Sequence, residues 1–276
     1  MNSSSSFAFF GTPFVASETL AVLIAHDFIP AIVVTSPDAP KGRGLAVMPS
    51  EVKTLALAHG ISVFTPETFD TEIITTIRAK KCDYAVVVAY GKIFPEELIE
   101  LFPKGVLNIH YSLLPKYRGA TPLESALLAG DLTTGVTVQK MAREVDAGDI
   151  VAQKETPIAQ AETARELRPR LIEMGAQLLV DTLNKYLSGD VEPVPQDNSL
   201  ASHTKKIKKE DGLLSLDASD EENWRKYRAY ADGIGTYFFE NNKRIKITKA
   251  SLKNGEFVIE RVIPEGKHEM DYKVSQ

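Results

Sequence analysis

The sequence predicts an α/β protein: a mostly parallel sheet with helices on both faces, followed by a small β-rich domain at the C-terminus. Three observations carry this expectation. From Phe7 to His110 short apolar runs alternate with helix-like stretches, the rhythm of strand, crossover helix and parallel strand. The run Tyr84-Ala85-Val86-Val87-Val88-Ala89 is apolar without interruption, as in a strand covered on both faces. After residues 188–200, SGDVEPVPQDNSL, the pattern changes to alternating segments at 235–239, 244–252 and 257–262, which read as strands of a small barrel. The expected division is therefore 1–187, a connecting segment 188–209, and 210–276. A chain of 276 residues exceeds the usual single core, so one large and one small domain is the natural arrangement.

Taken in order, Phe7 to Phe10 is a strand running into Gly11-Thr12-Pro13, where Thr12 as N-cap and Pro13 at the first helical position start a helix to Ala25. A dinucleotide site needs G-x-G-x-x-G at this turn, and only Gly11 is present, which argues against a nicotinamide or flavin enzyme. A second strand spans 29–35. Ser36 to Pro49 reads as a long loop with three prolines, two glycines and a Lys41-Gly42-Arg43-Gly44 tip. Loops of that length in a compact domain are functional or disordered. Ser50 caps a helix to His59, a strand lies near Val63, and 68–80 is helical. Tyr90-Gly91 closes the apolar strand, and Gly91 allows the backbone to approach a ligand closely.

The chemistry is expected at Val106 to Pro122, VLNIHYSLLPKYRGATP. Asn108 and His110 interrupt an apolar strand at a spacing of two, which puts both polar side chains on one face. A buried amide and a buried imidazole are costly unless hydrogen-bonded. Alone, the pair also fits a satisfied core histidine beside a turn asparagine. The short loop Ser112-Leu113-Leu114-Pro115 at the carboxyl end of the strand favours a site, because open α/β sheets bind ligands there. Asp146 lies in the acidic turn EVDAGD between two β-like runs, 134–141 and 150–155, an antiparallel excursion that returns it to the strand end. Asn108, His110 and Asp146 then supply a hydrogen-bond donor, a group titrating near neutrality and a carboxylate to orient it, a set suited to acyl transfer.

Thr121 and Pro122 begin a helix to Ala129, and 163–187 is a long amphipathic helix through Leu167, Leu171, Met174, Leu178 and Leu179. The segment 188–200 reads as a semi-rigid linker, and Lys205, Lys206, Lys208 and Lys209 follow it within seven residues, 203–209. Such a run is a solvated face or a hold on a nucleic-acid backbone. The overall charge of −5 excludes a general nucleic-acid coat protein, yet residues 201–276 hold 15 Lys and Arg against 13 Asp and Glu. One cysteine, Cys82, excludes an internal disulfide and fits a reducing compartment, so a cytoplasmic enzyme is expected. The N-terminus has neither the charged lead nor the apolar core of a signal peptide, and no window is apolar enough for a membrane span.

LNIHYSLLPKYRGATP followed by VDAGD resembles the signature of the folate-dependent formyltransferases, and the similarity extends over FFGTPFVASETL, SPDAPKGRGLAVMPSEVK, VVVAYGKIFP and a terminal PEGKHEM, nearly the whole chain. Within that superfamily it is most similar to the branch acting on initiator methionyl-tRNA. The resemblance implies a Rossmann-like catalytic domain at 1–187 and a tRNA-binding, OB-like barrel at 210–276, here shortened. It implies formyl transfer from 10-formyltetrahydrofolate, a co-substrate, to the α-amino group of methionine on initiator tRNA, with Asn108, His110 and Asp146 catalytic. It places the folate against Ser112, Leu113, Leu114, Pro115, Tyr90 and Gly91, and the tRNA against Lys41, Arg43, Lys205, Lys206, Lys208 and Lys209. No metal and no membrane partner are expected, and a monomer is. The competing expectation is a sugar-nucleotide N-formyltransferase using the same donor, because the same three residues serve any primary amine.

Overall fold

Phe7–Gly11 (β1) is buried at all five positions, and the chain builds outward from it. The structure, a computed structural model, describes residues 5–41 and 45–272. After β1 come α1 (Phe14–Ala25), β2 (Ile32–Val34), β3 (Ala39–Lys41), β4 (Ala46–Met48), α2 (Glu51–Ala58), β5 (Val63–Phe64), α3 (Thr71–Ala79), β6 (Tyr84–Val88), α4 (Glu96–Ile99) and β7 (Val106–His110). Then follow α5 (Pro122–Ala129), β8 (Thr133–Lys140), β9 (Ile150–Pro157), α6 (Ala164–Ser188), α7 (Asp220–Tyr230), β10 (Thr236–Glu240), β11 (Lys243–Lys253), β12 (Glu256–Pro264) and β13 (Met270–Asp271). Two compact units result: Met1–Pro115 with Val136–Lys154 and Leu171–Ala201, and Lys116–Gly135 with Glu155–Arg170 and Ser202–Gln276.

The first unit is organised by a seven-stranded sheet in the order β5-β2-β1-β6-β7-β8-β9. β5, β2, β1, β6 and β7 are parallel, and β8 runs antiparallel to β7. The strand order reverses between β1 and β6, the position beside which open α/β sheets place their ligands. Phe10 on β1 is fully buried in a ring of Phe69, Tyr90, Phe94 and Phe102, with centroids 4.9 to 6.3 Å from its own. Edge-to-face packing of this kind adds about 0.5–1.5 kcal/mol per pair to the area buried. Gly175 on α6 lets the helix approach β7 so closely that an added Cβ would stand 3.0 Å from Ile109 Cγ2.

One of the two expected helix starts needs correction, and the other holds with its cap hydroxyl engaged elsewhere. Pro13, not Thr12, is the N-cap of α1; Thr12 Oγ1 instead meets Ser36 Oγ at 3.0 Å and accepts from the Ser36 amide at 3.2 Å, tying the end of β1 to the residue beyond β2. Thr121 does cap α5 by position, yet its hydroxyl donates to the Lys205 carbonyl at 2.9 Å. A tertiary partner has taken each hydroxyl from its local role. Within the stretch expected to be a loop, β3 and β4 pair antiparallel with Ala39 opposite Met48. Ser50 caps α2 as expected, accepting from the Lys53 amide.

In the second unit, where a small barrel was expected, the described residues form a four-stranded antiparallel meander, β10-β11-β12-β13, with a register shift around Lys249. One face of it, with Phe238, Ile245, Ile247 and Val262, buries Trp224 and Tyr227 of α7 and Leu214. The helix is locked polar-to-backbone as well: Trp224 Nε1 donates to Gln160 O, and Arg228 Nε and Nη2 donate to Glu162 O and Ala159 O at 2.7 and 3.1 Å. Burial holds the Arg228 guanidinium below its usual range, and those carbonyls replace the water it has lost.

Candidate active site

The candidate site begins with β7, where Val106, Leu107, Ile109 and His110 are buried and Asn108 is partly exposed. β8 pairs with it so that Asn108 faces Gln139 and His110 faces Thr137. The turn after β8 brings Asp146 back to the strand end, at φ +53° in the left-handed region. Its Oδ2 stands 3.5 Å from His110 Nδ1, and its Oδ1 is 3.5 Å from Asn108 Nδ2 and 2.8 Å from Gln139 Nε2. The three residues picked out by sequence therefore converge. His110 is only 5% exposed, so its interaction with a carboxylate is screened little by water.

Gly148 makes this turn possible. A Cβ there would lie 1.9 Å from Lys140 O, so only glycine lets the acidic turn lie against the end of β8. The turn is also held from the far side: Gln196 Nε2 donates to Asp146 O at 2.9 Å and Gly148 O at 2.6 Å, while Val194 and Ile150 exchange two backbone hydrogen bonds of 2.8 Å. The segment read as a linker is thus bound to the site along 194–196.

The loop Ser112-Leu113-Leu114-Pro115 is fixed by β8 and β9. The Thr137 hydroxyl, fully buried, donates to Ser112 O at 2.7 Å and accepts from the Leu114 amide at 3.2 Å. Gln153 Nε2 reaches Leu114 O at 2.7 Å and Thr137 Oγ1 at 2.9 Å. The Leu114–Pro115 peptide is cis. Ser112 and Leu114 are buried, whereas Leu113 and Pro115 are partly exposed.

At the carboxyl end of β6, Ala89 and Gly91 both adopt positive φ, 46° and 77°, and both are exposed. Tyr90 between them turns inward: it is 4% exposed, and its hydroxyl is buried without a hydrogen-bond partner among the described residues. Burial pushes that hydroxyl up to about 12. Lys92 Nζ sits 5.9 Å from the Tyr90 ring centroid and donates to Pro66 O and Glu67 O.

Lys205, Lys206, Lys208 and Lys209 are all exposed, on a strand-free segment. The residues before them are anchored within the second unit. Arg118 N donates to Ser202 O and Thr204 N to Arg118 O, both at 2.8 Å, and Tyr117 N donates to Ser202 Oγ at 2.9 Å. Lys41 ends β3, and Arg43 lies outside the described residues. The apolar side chains of Leu45, Val47 and Met48 are exposed.

Gln139, Thr137, Gln153 and Gln196 were missed by sequence reasoning. Only the alternation of β8 pointed to the first two, as inward positions of a strand next to the site. Among the described residues no helix is long and apolar enough to cross a membrane.

Residues 7–183 match the formyl transferase family and residues 206–270 its C-terminal domain. Methionyl-tRNA formyltransferase of Carboxydothermus hydrogenoformans is 43% identical over 249 residues, covering 90% of this chain and 80% of that protein. The Thermotoga maritima enzyme of the same name is 40% identical over 240 residues, 87% of this chain and 77% of that one. Among solved structures, an N-formyltransferase from Helicobacter canadensis in complex with folinic acid and dTDP-3-aminofucose shares the fold at TM-score 0.69 and 22% identity, over 91% of this chain and 89% of that one. Methionyl-tRNA formyltransferase from Clostridium thermocellum does so at TM-score 0.64 and 16% identity, over 98% of this chain and 100% of that one. With both domains matched and this identity held over most of both chains, the chain belongs to the formyl transferase family, in the company of the methionyl-tRNA formyltransferases.

Proposed function

We propose that this protein transfers the formyl group of 10-formyltetrahydrofolate to the α-amino group of methionine esterified to initiator tRNA, in the cytoplasm. The observation that carries the proposal is the convergence of Asn108, His110 and Asp146 at the carboxyl end of β7, within 3.5 Å of one another through the Asp146 carboxylate.

The acceptor is an amine. An α-amino group titrates near pH ~8, so a useful fraction is neutral at pH 7 and no strong nucleophile has to be generated. The amine attacks the formyl carbon, the carbonyl oxygen becomes an oxyanion, and the bond to N10 of the folate then breaks as N10 takes a proton. Asn108 and His110 are assigned to the oxyanion and to the leaving nitrogen. Asp146 orients His110 through Nδ1 and draws the proton from the attacking amine, directly or through water. The exposed backbone at Gly91 and the fixed loop Ser112-Leu113-Leu114-Pro115 are assigned to the folate, with Tyr90 packed beneath. Lys205, Lys206, Lys208 and Lys209, with Lys41 and Arg43, are assigned to the tRNA. On this reading 1–187 carries the chemistry, 188–209 connects, and 210–276 binds tRNA.

The test is a formylation assay with 10-formyltetrahydrofolate and charged initiator tRNA, run beside a dTDP-amino sugar as the alternative acceptor. Formyl-methionine released from the tRNA is the expected product. Formylation of the sugar alone sinks the proposal.

A further inference from the structure

We infer that Gln139 is a positioning residue for the reaction, acting through Asp146. The inference rests on the assignment of Asp146 to catalysis made above. Asp146 stands on a turn in the left-handed region, outside the sheet, and its carboxylate needs a fixed reference if Oδ2 is to face His110. Gln139 is that reference: it is on β8, 1% exposed, opposite Asn108 in the strand register, and its Nε2 is 2.8 Å from Asp146 Oδ1. That contact is shorter than the 3.5 Å separations from Asn108 and His110. With Oδ1 held by the amide, the carboxylate cannot rotate without losing a charge-assisted hydrogen bond.

A second observation separates this role from packing. Among the described residues, Gln139 Oε1 is buried and has no partner. A buried acceptor without a protein partner is destabilising, and a methionine of similar size would fill the same space without it. A purely structural position on β8 is better served by the apolar residue. The amide is accounted for by what its other end does to Asp146.

The test is a double-mutant cycle of Gln139→Met and Asp146→Asn, with single-turnover formyl transfer at saturating substrates so that slow rates are read. Asp146→Asn alone examines the underlying assignment: turnover left intact removes Asp146 from catalysis and is read separately from the inference about Gln139. Gln139→Met alone should lower kcat by about 10- to 100-fold with KM for both substrates within about twofold, because a displaced catalytic group costs rate and not binding. Its thermal midpoint should be unchanged or raised. In the Asp146→Asn background the same substitution should change the rate less than about twofold. Full additivity of the two losses, a wild-type rate in Gln139→Met, or a loss confined to KM overturns the inference. So does failure of both Gln139→Met and the smaller Gln139→Leu to unfold cooperatively, since Gln139 would then be part of the fold.

Discussion

The site at the end of β7 and the lysine segment before the C-terminal sheet are built on opposite terms. At the site, paired strands bury the side chains that hold the rest: His110 is 5% exposed, Gln139 1%, Thr137 fully buried, and partners stand at 2.7 to 3.5 Å. The lysines at 205, 206, 208 and 209 have exposed side chains on a segment held through its backbone, with Lys205 O accepting from Thr121 and Lys208 N donating to Asp211, so their ammonium groups are left to solvent. A reaction that depends on sub-ångström placement needs the first kind of support, whereas attraction to a polyanion needs only charge at the right distance. Substitutions should therefore act on rate at the site and on salt-dependent affinity in the lysine segment.

The largest effect should come from the site. Asn108→Ala, His110→Ala and Asp146→Ala are each expected to lower kcat by roughly 10²-fold or more, with circular dichroism and thermal midpoint near wild type. Pairs should lose less than the sum, because the residues work as a unit. A near-normal rate in any one takes that residue out of the set.

Thr137→Val tests how far the site depends on its frame. The substitution leaves the Leu114 amide without its 3.2 Å acceptor and Ser112 O without its 2.7 Å donor. Stability should fall by about 1–3 kcal/mol in urea titration. Folate binding should weaken several-fold, since ordering a loosened loop costs about 1 kcal/mol on binding. Lost stability with unchanged folate affinity would detach the Ser112–Pro115 loop from the donor pocket.

How much of this was legible depended on range. The spacing of Asn108 and His110, the Ser50 cap, the loop ending in Pro115 and the acidic turn are local patterns, and each is legible in the sequence. Thr12 misled because its hydroxyl is used by a residue 24 positions away, and Thr121, correctly placed at the start of α5, spends its hydroxyl 84 positions away. Gln139 looked like any polar residue in a strand, and its importance comes from the return of a turn seven residues later. Gln196 was hidden in a proline-containing stretch that composition marks as a connection, although it is bonded 50 residues back to Asp146. Chemistry was visible where one strand displayed it, and the support was not, because support is made by pairing between segments.

In the lysine segment the expected effect is on affinity. Replacing Lys205, Lys206, Lys208 and Lys209 with alanine should reduce the slope of log affinity against log salt by about 1 for each phosphate that is no longer neutralised. Initiator and elongator tRNA should weaken alike, since the phosphate backbone carries no sequence information. The rate at saturating tRNA should stay near wild type. An unchanged slope would reduce the run to a solvated surface.

The smallest effect sharpens the boundary between site and core. Tyr90 was expected to line the folate pocket, and its ring lies in the Phe10, Phe69 and Phe94 cluster with a hydroxyl that has no partner among the described residues. Tyr90→Phe removes only that oxygen, so stability at neutral pH should rise by up to about 1 kcal/mol. The sign of its pH dependence follows from burial. The folded hydroxyl is pushed up to about 12, whereas in the unfolded chain it titrates near pH ~10, so its stabilising contribution is complete below ~10 and is lost as pH rises toward 12. Tyr90→Phe should shrink the alkaline loss of stability between those values, read from urea midpoints at pH 9 to 12, with folate affinity within about twofold of wild type. A marked loss of folate affinity would mean that the oxygen reaches the ligand, and would draw Tyr90 out of the core and into the site.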